Sequence, residues 1–139
     1  MKPIGYWLNR TDKAITAAMD SMVAEFGLTR LAWQVLNVVQ GNPRATDTDV
    51  RTVLAANADV TDLTAAVETV LADGWVCRPA PSRLALTDEG RARLAEVTER
   101  VGAFRQLSTA GITDEDYRIA VSVLERMTRN LETGAEHRD

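Results

Sequence analysis

A short change of period within an otherwise helical pattern is the sequence feature that most constrains the fold of this chain. Apolar residues recur with the 3.6-residue period of an α-helix along nearly the whole sequence. Residues 75–77 and 83–86 instead have the character of two short strands. Pro79 and Pro81 between them can continue neither a helix nor a central strand. The pattern therefore predicts a mainly α-helical protein with one small β-hairpin.

Capping and turn signals divide the helical segments into six helices. Thr29 is the predicted N-cap of the second helix, and Thr46 with Asp49 three residues later resembles a capping box before the third. The third helix is predicted over 47–56, with Val50, Val53 and Leu54 on one face, and the fourth over 61–73. Thr87 and Thr113 are predicted to begin the fifth and sixth helices, before a polar tail from Thr133 that we expect to be frayed.

The terminal helices are long and amphipathic. The first has apolar residues from Ile4 to Phe26 on one face, and it would be about 34 Å long. The fifth and sixth have similar stripes, from Leu94 to Phe104 and from Tyr117 to Leu131. These faces exceed what a small domain can cover by itself. We therefore expect a homodimer built from the first, fifth and sixth helices of two chains.

Composition excludes several classes of function. The 139 residues are enough for one domain with a proper core, and no apolar run is long enough to cross a membrane. The start of the chain lacks an apolar signal core, and one cysteine fits a reducing cytoplasm. A single histidine, His137 in the polar tail, leaves little basis for a metal site or a catalytic pair. The acidic groups 47/49 and 114–116 fall at helix starts, where carboxylates are stabilising, so we predict no enzymatic activity, no cofactor and no metal.

Two short helices followed by a hairpin form the plan of a winged helix-turn-helix, in which the second short helix enters a DNA major groove. The predicted organisation is a single domain, 1–139. It has dimerisation helices at 1–28 and 88–132, a winged head at 29–87 and a flexible tail at 133–139.

The chain resembles the MarR-type transcriptional regulators. The resemblance covers nearly the whole sequence and is carried by IGYWLNRTDKAI, GLTRLAWQVLNVV, VLADGWV and, most specifically, LALTDEGRARLAEV. Leu86, Thr87 and Gly90 match the residues that mark the exit of the wing in that family. The resemblance implies a homodimer that binds a palindromic operator, usually as a repressor, and that small aromatic ligands often release from double-stranded DNA.

The DNA-reading parts depart from that family. No Lys or Arg occurs from Thr52 through Cys77, and the fourth helix contains Asp62, Glu68 and Asp73. Arginines are usual in the family at the positions of Ala65, Thr69 and Asp73, and the usual Asp-x-Arg of the wing tip is missing. Because Lys and Arg supply most phosphate and guanine contacts, an acidic helix opposes the approach of DNA. The net charge of −4 and the pI near 5.0 provide no compensating basic field.

Five residues remain candidates for DNA contact, each with a structural alternative. Thr61 and Thr64 can meet phosphate, or they cap and pack their own helix, with capping favoured for Thr61. Arg44, Arg78 and Arg83 can form a basic rim together with Arg51, or they are solvated surface charges.

Three residues of the first helix are candidates for ligand binding. Tyr6 and Trp7 can line a pocket, although packing is the favoured interpretation, and Arg10 pairs with a ligand carboxylate or, more simply, with Asp12 or another acid. Trp33 is expected in the core. Cys77, expected to be half-buried, lies in the first wing strand, and redox sensing is not favoured because its neighbour Arg78 points to the opposite face of a strand.

Two functions follow from these observations. The first is a ligand-responsive, dimeric DNA-binding repressor. The second is a winged-helix homologue that has lost DNA readout and binds a small molecule or a protein partner, with its acidic head facing a basic surface.

Overall fold

The computed structural model describes residues 1–136 and contains the predicted six helices and one antiparallel pair of strands in the predicted order. The fold class predicted from the sequence is therefore confirmed. The bounds of the elements are α1 Ile4–Ala24, α2 Arg30–Gly41, α3 Asp47–Val53, α4 Val60–Ala72, β1 Val76–Cys77, β2 Ala85–Leu86, α5 Asp88–Ser108 and α6 Asp114–Glu136.

The predicted caps at the starts of α2 and α3 are present. Thr29 Oγ1 accepts the Ala32 N–H at 3.1 Å at the start of α2. At the start of α3 both halves of the capping box form: Thr46 Oγ1 accepts the Asp49 N–H, and the Asp49 carboxylate accepts the Thr46 N–H. Each bond satisfies a backbone donor that the first turn of a helix leaves without a partner.

Some boundaries and orientations differ from the predictions. The helix α3 ends at Val53 instead of residue 56, because Leu54 leaves the helical conformation and its carbonyl accepts the N–H groups of Asn57 and Ala58 in a turn. Val53, predicted to face inward, is 61% exposed. The helix α6 continues to Glu136, past the predicted start of the tail at Thr133. His137 lies outside the described residues.

The hairpin is shorter than predicted, and its second arm is shared with the segment before α3. Val76 pairs with Leu86, and Cys77 pairs with Ala85. Arg83 and Leu84, predicted as part of the second strand, instead lie against residues 45–46: Arg83 forms a bridge with Thr46, and the Leu84 N–H donates to the Ala45 carbonyl. The base of the wing is thereby hydrogen-bonded to the start of α3.

Contacts along the chain separate two compact units, Met1–Gly102 and a second unit that begins at Ala103. The first unit has one hydrophobic core, with α2 in contact with α1, α3, α4 and β2. The fully enclosed side chains of this core are Trp75, Leu36, Leu63, Leu84, Leu94, Val23, Val35, Val50, Val70 and Val97. The second unit contains the end of α5 and all of α6. The prediction of a single domain stays a prediction.

Thr87 and Gly90 join α5 to the wing. Thr87 Oγ1 donates to the Gly74 carbonyl at 2.6 Å and accepts the Gly90 N–H at 2.8 Å. A Cβ atom on Gly90 would lie 2.0 Å from the carbonyl oxygen of Trp75, so only glycine fits this close approach of helix to strand. The guanidinium of Arg93 lies 4.0 Å from the ring centroid of the buried Trp75 and donates to the Phe26 carbonyl.

No described helix is both long enough and apolar enough to cross a lipid bilayer.

Candidate nucleic-acid interface

The helix α4 has one buried side and one exposed side. Leu63, Ala66, Val67 and Val70 are buried in the head. The exposed side, called here the α4 face, consists of Thr61, Thr64, Ala65, Glu68, Thr69 and Ala72. A helix that is anchored on one side and open to solvent on the other, next to a β-hairpin, has the arrangement of a helix that enters a DNA groove.

The start of α4 is capped by Asp59 and not by Thr61. The Asp59 carboxylate accepts the Asp62 N–H at 2.8 Å, and Thr61 lies exposed within the first turn. The capping interpretation of Thr61 is therefore wrong, because an acid two residues earlier already occupies the cap position. The spacing of Asp59 and Asp62 was the sequence signal for this cap, and it is the same as that of Thr46 and Asp49.

The α4 face has an acidic character. Its one charged residue is Glu68, and Asp62 and Asp73 lie exposed on the same helix and at its C-cap. The positive charges nearest in sequence are Arg51 and Arg78, which lie before and after this stretch of the chain.

A hollow of about 100 Å³ lies between α3, α4 and the end of β1. Its floor is apolar, formed by Val50, Leu63 and Val67. Its rim consists of two arginines, two acids and one hydroxyl group: Arg51, Arg78, Asp47, Glu68 and Thr64. The hollow therefore brings the predicted candidates Thr64 and Arg78 together, although the formal charges on its rim cancel.

Arg78 is held by Asp47. Nη1 of Arg78 donates to Oδ1 of Asp47 at 2.7 Å, and Nη2 donates to Oδ2 at 3.0 Å, which is a two-pronged ion pair. The hydrogen bond from Arg78 lowers the pKa of Asp47 below its ordinary value, and Arg51 adds a smaller effect in the same direction. The same pair raises the pKa of Arg78. Both groups are therefore charged at neutral pH.

Asp47 was predicted only to stabilise a helix start, and its pairing with Arg78 was missed. The two residues are 31 positions apart, and no spacing rule connects a helix start to the end of a distant strand. The pairing depends on the wing folding back onto α3.

Arg83 and Arg44 lie at the base of the wing. Arg83 is half-buried, and its Nε is buried with no hydrogen-bond partner among the described residues. Arg44 is exposed, and its backbone N–H donates to the side chain of Asn42. The structure thus places Arg44, Arg78 and Arg83 on the segments that meet at the wing base, where Arg44 and Arg78 are exposed and Arg83 is half-buried.

The three candidate ligand-binding residues contact one another in the first turns of α1. Tyr6 and Trp7 meet edge to face with ring centroids 5.1 Å apart. Nη1 of Arg10 donates to the Tyr6 hydroxyl at 2.8 Å, and its guanidinium lies 6.0 Å from the Trp7 ring centroid. Arg10 therefore contacts aromatic groups and not Asp12 or another acid, the partners that were favoured. Trp7 is 48% exposed, so this group is open to solvent in the single chain.

Two further candidates are placed by the structure. Trp33 packs against the core, as expected. Cys77 is exposed instead of half-buried, because its side of the two-residue strand faces solvent. Within residues 1–136 no group of three or more His, Cys, Asp or Glu side chains is arranged to hold a metal ion.

Comparison with known proteins found relatives by structure alone. No family model matches the chain, and no curated protein matches it. Among solved structures, E. coli MarR in its reduced form is 20% identical with a TM-score of 0.72, covering 91% of this chain and 94% of that one. A MarR family protein of Mycobacterium tuberculosis, solved in complex with DNA, is 21% identical with a TM-score of 0.73, covering 91% and 98%.

The transcriptional repressor CouR, solved bound to p-coumaroyl-CoA, is 26% identical with a TM-score of 0.73, covering 91% of this chain and 92% of CouR. Each of these alignments covers about nine-tenths of this chain and more than nine-tenths of the solved structure. The fold implied by the sequence resemblance is confirmed.

Proposed function

We propose that this chain, which has the MarR-type winged-helix fold, is a DNA-binding transcriptional regulator that acts as a homodimer. The observation that carries the proposal is the α4 face, which is open to solvent beside the wing in the same fold as a protein solved on DNA. Thr61 and Thr64 on this face, with Arg44, Arg78 and Arg83 at the wing base, are the proposed contacts. Because repression needs only occupation of an operator, no catalytic group is required, and we propose no enzymatic activity.

Exposed apolar side chains on the terminal helices support the homodimer. Ile4, Leu8 and Ile15 lie exposed on α1, and Tyr117, Val121 and Leu131 lie exposed on α6. Spacings of four and seven residues place Ile4, Leu8 and Ile15 on one face of α1, and Tyr117 and Val121 lie one turn apart on α6. We propose that these faces are covered by a second copy, which would present two α4 helices about 34 Å apart to a palindromic operator.

The group formed by Tyr6, Trp7 and Arg10 is the proposed place for a small aromatic ligand. Its aromatic edges can stack on a ring, and the Arg10 guanidinium can pair with a carboxylate. A regulator of this kind would act as a ligand-released repressor in the cytoplasm, where a single unpaired cysteine stays reduced.

The test is binding to DNA from the region upstream of the gene that encodes this chain. We expect a complex at ~50 mM salt whose association constant falls steeply by ~200 mM salt, because each phosphate contact releases counterions. Fluorescence anisotropy with a labelled duplex measures this, and small aromatic acids added to the complex test the ligand response. A chain that sediments as a dimer yet binds no duplex at ~50 mM salt would contradict the proposal.

The lack of positive charge on the α4 face favours a second candidate function, the binding of a protein partner. On that hypothesis the head faces a basic protein partner and does not approach DNA. Introducing charge on this face separates the two. We expect the variants Ala65→Arg and Thr69→Arg to raise general DNA affinity and to steepen the salt dependence by about 0.9 for each phosphate gained.

The matched control is Ala95→Arg, which adds the same charge at an exposed position of another helix, α5, outside the residues of the α4 face. Equal effects of all three substitutions, or no effect from any, would mean that α4 does not approach the duplex and would favour the protein-interaction function.

A further inference from the structure

The pair formed by Asp47 and Arg78 has a geometry that matters for DNA binding. A guanidinium binds carboxylates and phosphates with the same planar fork of N–H donors. Both terminal nitrogens of Arg78 already donate to the two carboxylate oxygens of Asp47, at 2.7 and 3.0 Å. A DNA phosphate that approaches this fork therefore meets a site that is occupied by an anion of the same chain.

Asp47 is the fixed member of the pair. Its backbone N–H donates to the Ser82 carbonyl at 3.2 Å, and it begins α3 directly after the capping box of Thr46. Arg78, by contrast, lies just beyond the end of β1 on a flexible side chain. If the pair opens, it is therefore Arg78 that moves to a new partner.

The pair is accessible to exchange. The side chain of Arg78 is 38% exposed and that of Asp47 is 26% exposed, so neither charge is sealed from solvent. Ion pairs of this exposure contribute little net free energy because water and salt compete for both partners. A phosphate at the right place can compete in the same way.

We propose that Asp47 acts as an internal counter-ion that occupies the phosphate-binding fork of Arg78 and thereby limits the affinity of the winged head for DNA. This inference rests on the proposed function, and it identifies Asp47 as a residue that sets the affinity for DNA. The rest of the head makes the effect large, because no Lys or Arg lies between Thr52 and Cys77 to replace the neutralised charge. In this view Arg78 can bind a phosphate only when its pair with Asp47 opens. Arg44, by contrast, is exposed.

The test is the variant Asp47→Asn, which keeps the shape of the side chain and removes its charge. We expect it to raise affinity for a duplex about eight-fold at ~0.1 M salt and to steepen the salt dependence by about 0.9, the effect of one added phosphate contact. The control is Asp62→Asn, which removes the same charge from an exposed residue of the same head that has no arginine partner among the described residues.

A double-variant comparison assigns the effect to Arg78. In the Arg78→Ala background, Asp47→Asn should change affinity no more than Asp62→Asn does. An equal gain in that background would mean that Asp47 acts only through general repulsion of DNA. A loss of affinity in Asp47→Asn alone would mean that Asp47 positions Arg78 for phosphate. Either result overturns the proposal.

A readout without DNA separates this proposal from the function on which it rests. Phenylglyoxal modifies free guanidinium groups, and peptide mapping gives the rate at each arginine. We expect Arg78 to react several-fold more slowly than Arg44 in the parent protein, and at a similar rate in Asp47→Asn. If no variant binds DNA but the modification rate of Arg78 still rises in Asp47→Asn, the proposed function is wrong, while the occupation of the Arg78 guanidinium by Asp47 is supported. If the rate does not change, the occupied fork is refuted.

Discussion

The winged head and the last helix of this protein use apolar residues in opposite ways. In the head, α4 buries Leu63, Val67 and Val70 against its neighbours. In α6, which is longer and has an equally regular stripe, no residue is buried among those whose exposure the structure describes. The same helical periodicity therefore produces a finished core in one region and an open face in the other.

The helix α1 contains both situations. Near its end Met22 and Val23 are buried in the core of the head, whereas Ile4, Leu8 and Ile15 near its start are exposed. The difference shows that an apolar stripe identifies a surface to be covered, while the covering element has to be found elsewhere. For the head it lies in the same chain; for the terminal helices we have proposed a second copy.

The largest expected effect comes from a matched pair of leucines. Leu36→Ala removes a fully buried side chain in α2 and should lower the free energy of unfolding by about 2–5 kcal/mol. Leu131→Ala removes a side chain that is 72% exposed on α6 and should leave the stability of the single chain nearly unchanged. Urea denaturation at low protein concentration measures both.

The same pair tests the dimer. Sedimentation over a range of protein concentrations should show weaker self-association for Leu131→Ala than for the parent protein. If Leu131→Ala and the parent protein associate equally, the exposed stripe of α6 is not the dimer face.

The next largest expected effect is a loss of stability when the close contact between α5 and the wing is disturbed. Gly90→Ala places a methyl group where a Cβ would lie 2.0 Å from the Trp75 carbonyl oxygen, and we expect a loss of about 1–3 kcal/mol as the helix shifts. Gly102→Ala is the matched control, because a Cβ at Gly102 meets no atom within 4 Å and alanine favours a helix. Thermal unfolding should show a lower Tm for the first variant only; equal Tm values would contradict the close approach.

The smallest effect compares two helix caps. Thr46→Ala breaks the capping box of α3 and should cost about 1 kcal/mol of global stability. Thr113→Ala removes the bond that Thr113 Oγ1 accepts from the Asp116 N–H, which supports an α6 with no buried residue described. We expect its effect on unfolding of the head to be smaller, with a loss of helical circular dichroism instead. A Thr113 variant as destabilised as the Thr46 variant would show that α6 and the head unfold together.

Much of the fold could be predicted from local signals. The caps at Thr29, Thr46 and Thr113, the break in period at the hairpin and the exit at Thr87 and Gly90 each depend on residues within a few positions of one another. Boundaries were predicted less well where a turn replaced a helix end, as at Leu54.

The sequence predicted which residues belong to the candidate site, but it did not predict which of them are paired with one another. The exposure of Thr64 on α4 followed from the helical period. The pairing of Arg78 with Asp47 did not, because it joins residues 31 positions apart through the return of the wing. The predicted acidic partner of Arg10 was also wrong. The Tyr6 hydroxyl lies one helical turn away and accepts the hydrogen bond of Arg10 instead.

The order of residues alone determined the helices, their caps, the hairpin and the absence of positive charge from Thr52 to Cys77, because each is a property of neighbours along the chain. Tertiary structure decided which apolar faces are closed and which arginines have free donors. Those properties depend on distant segments meeting in space, and no local pattern carries that information.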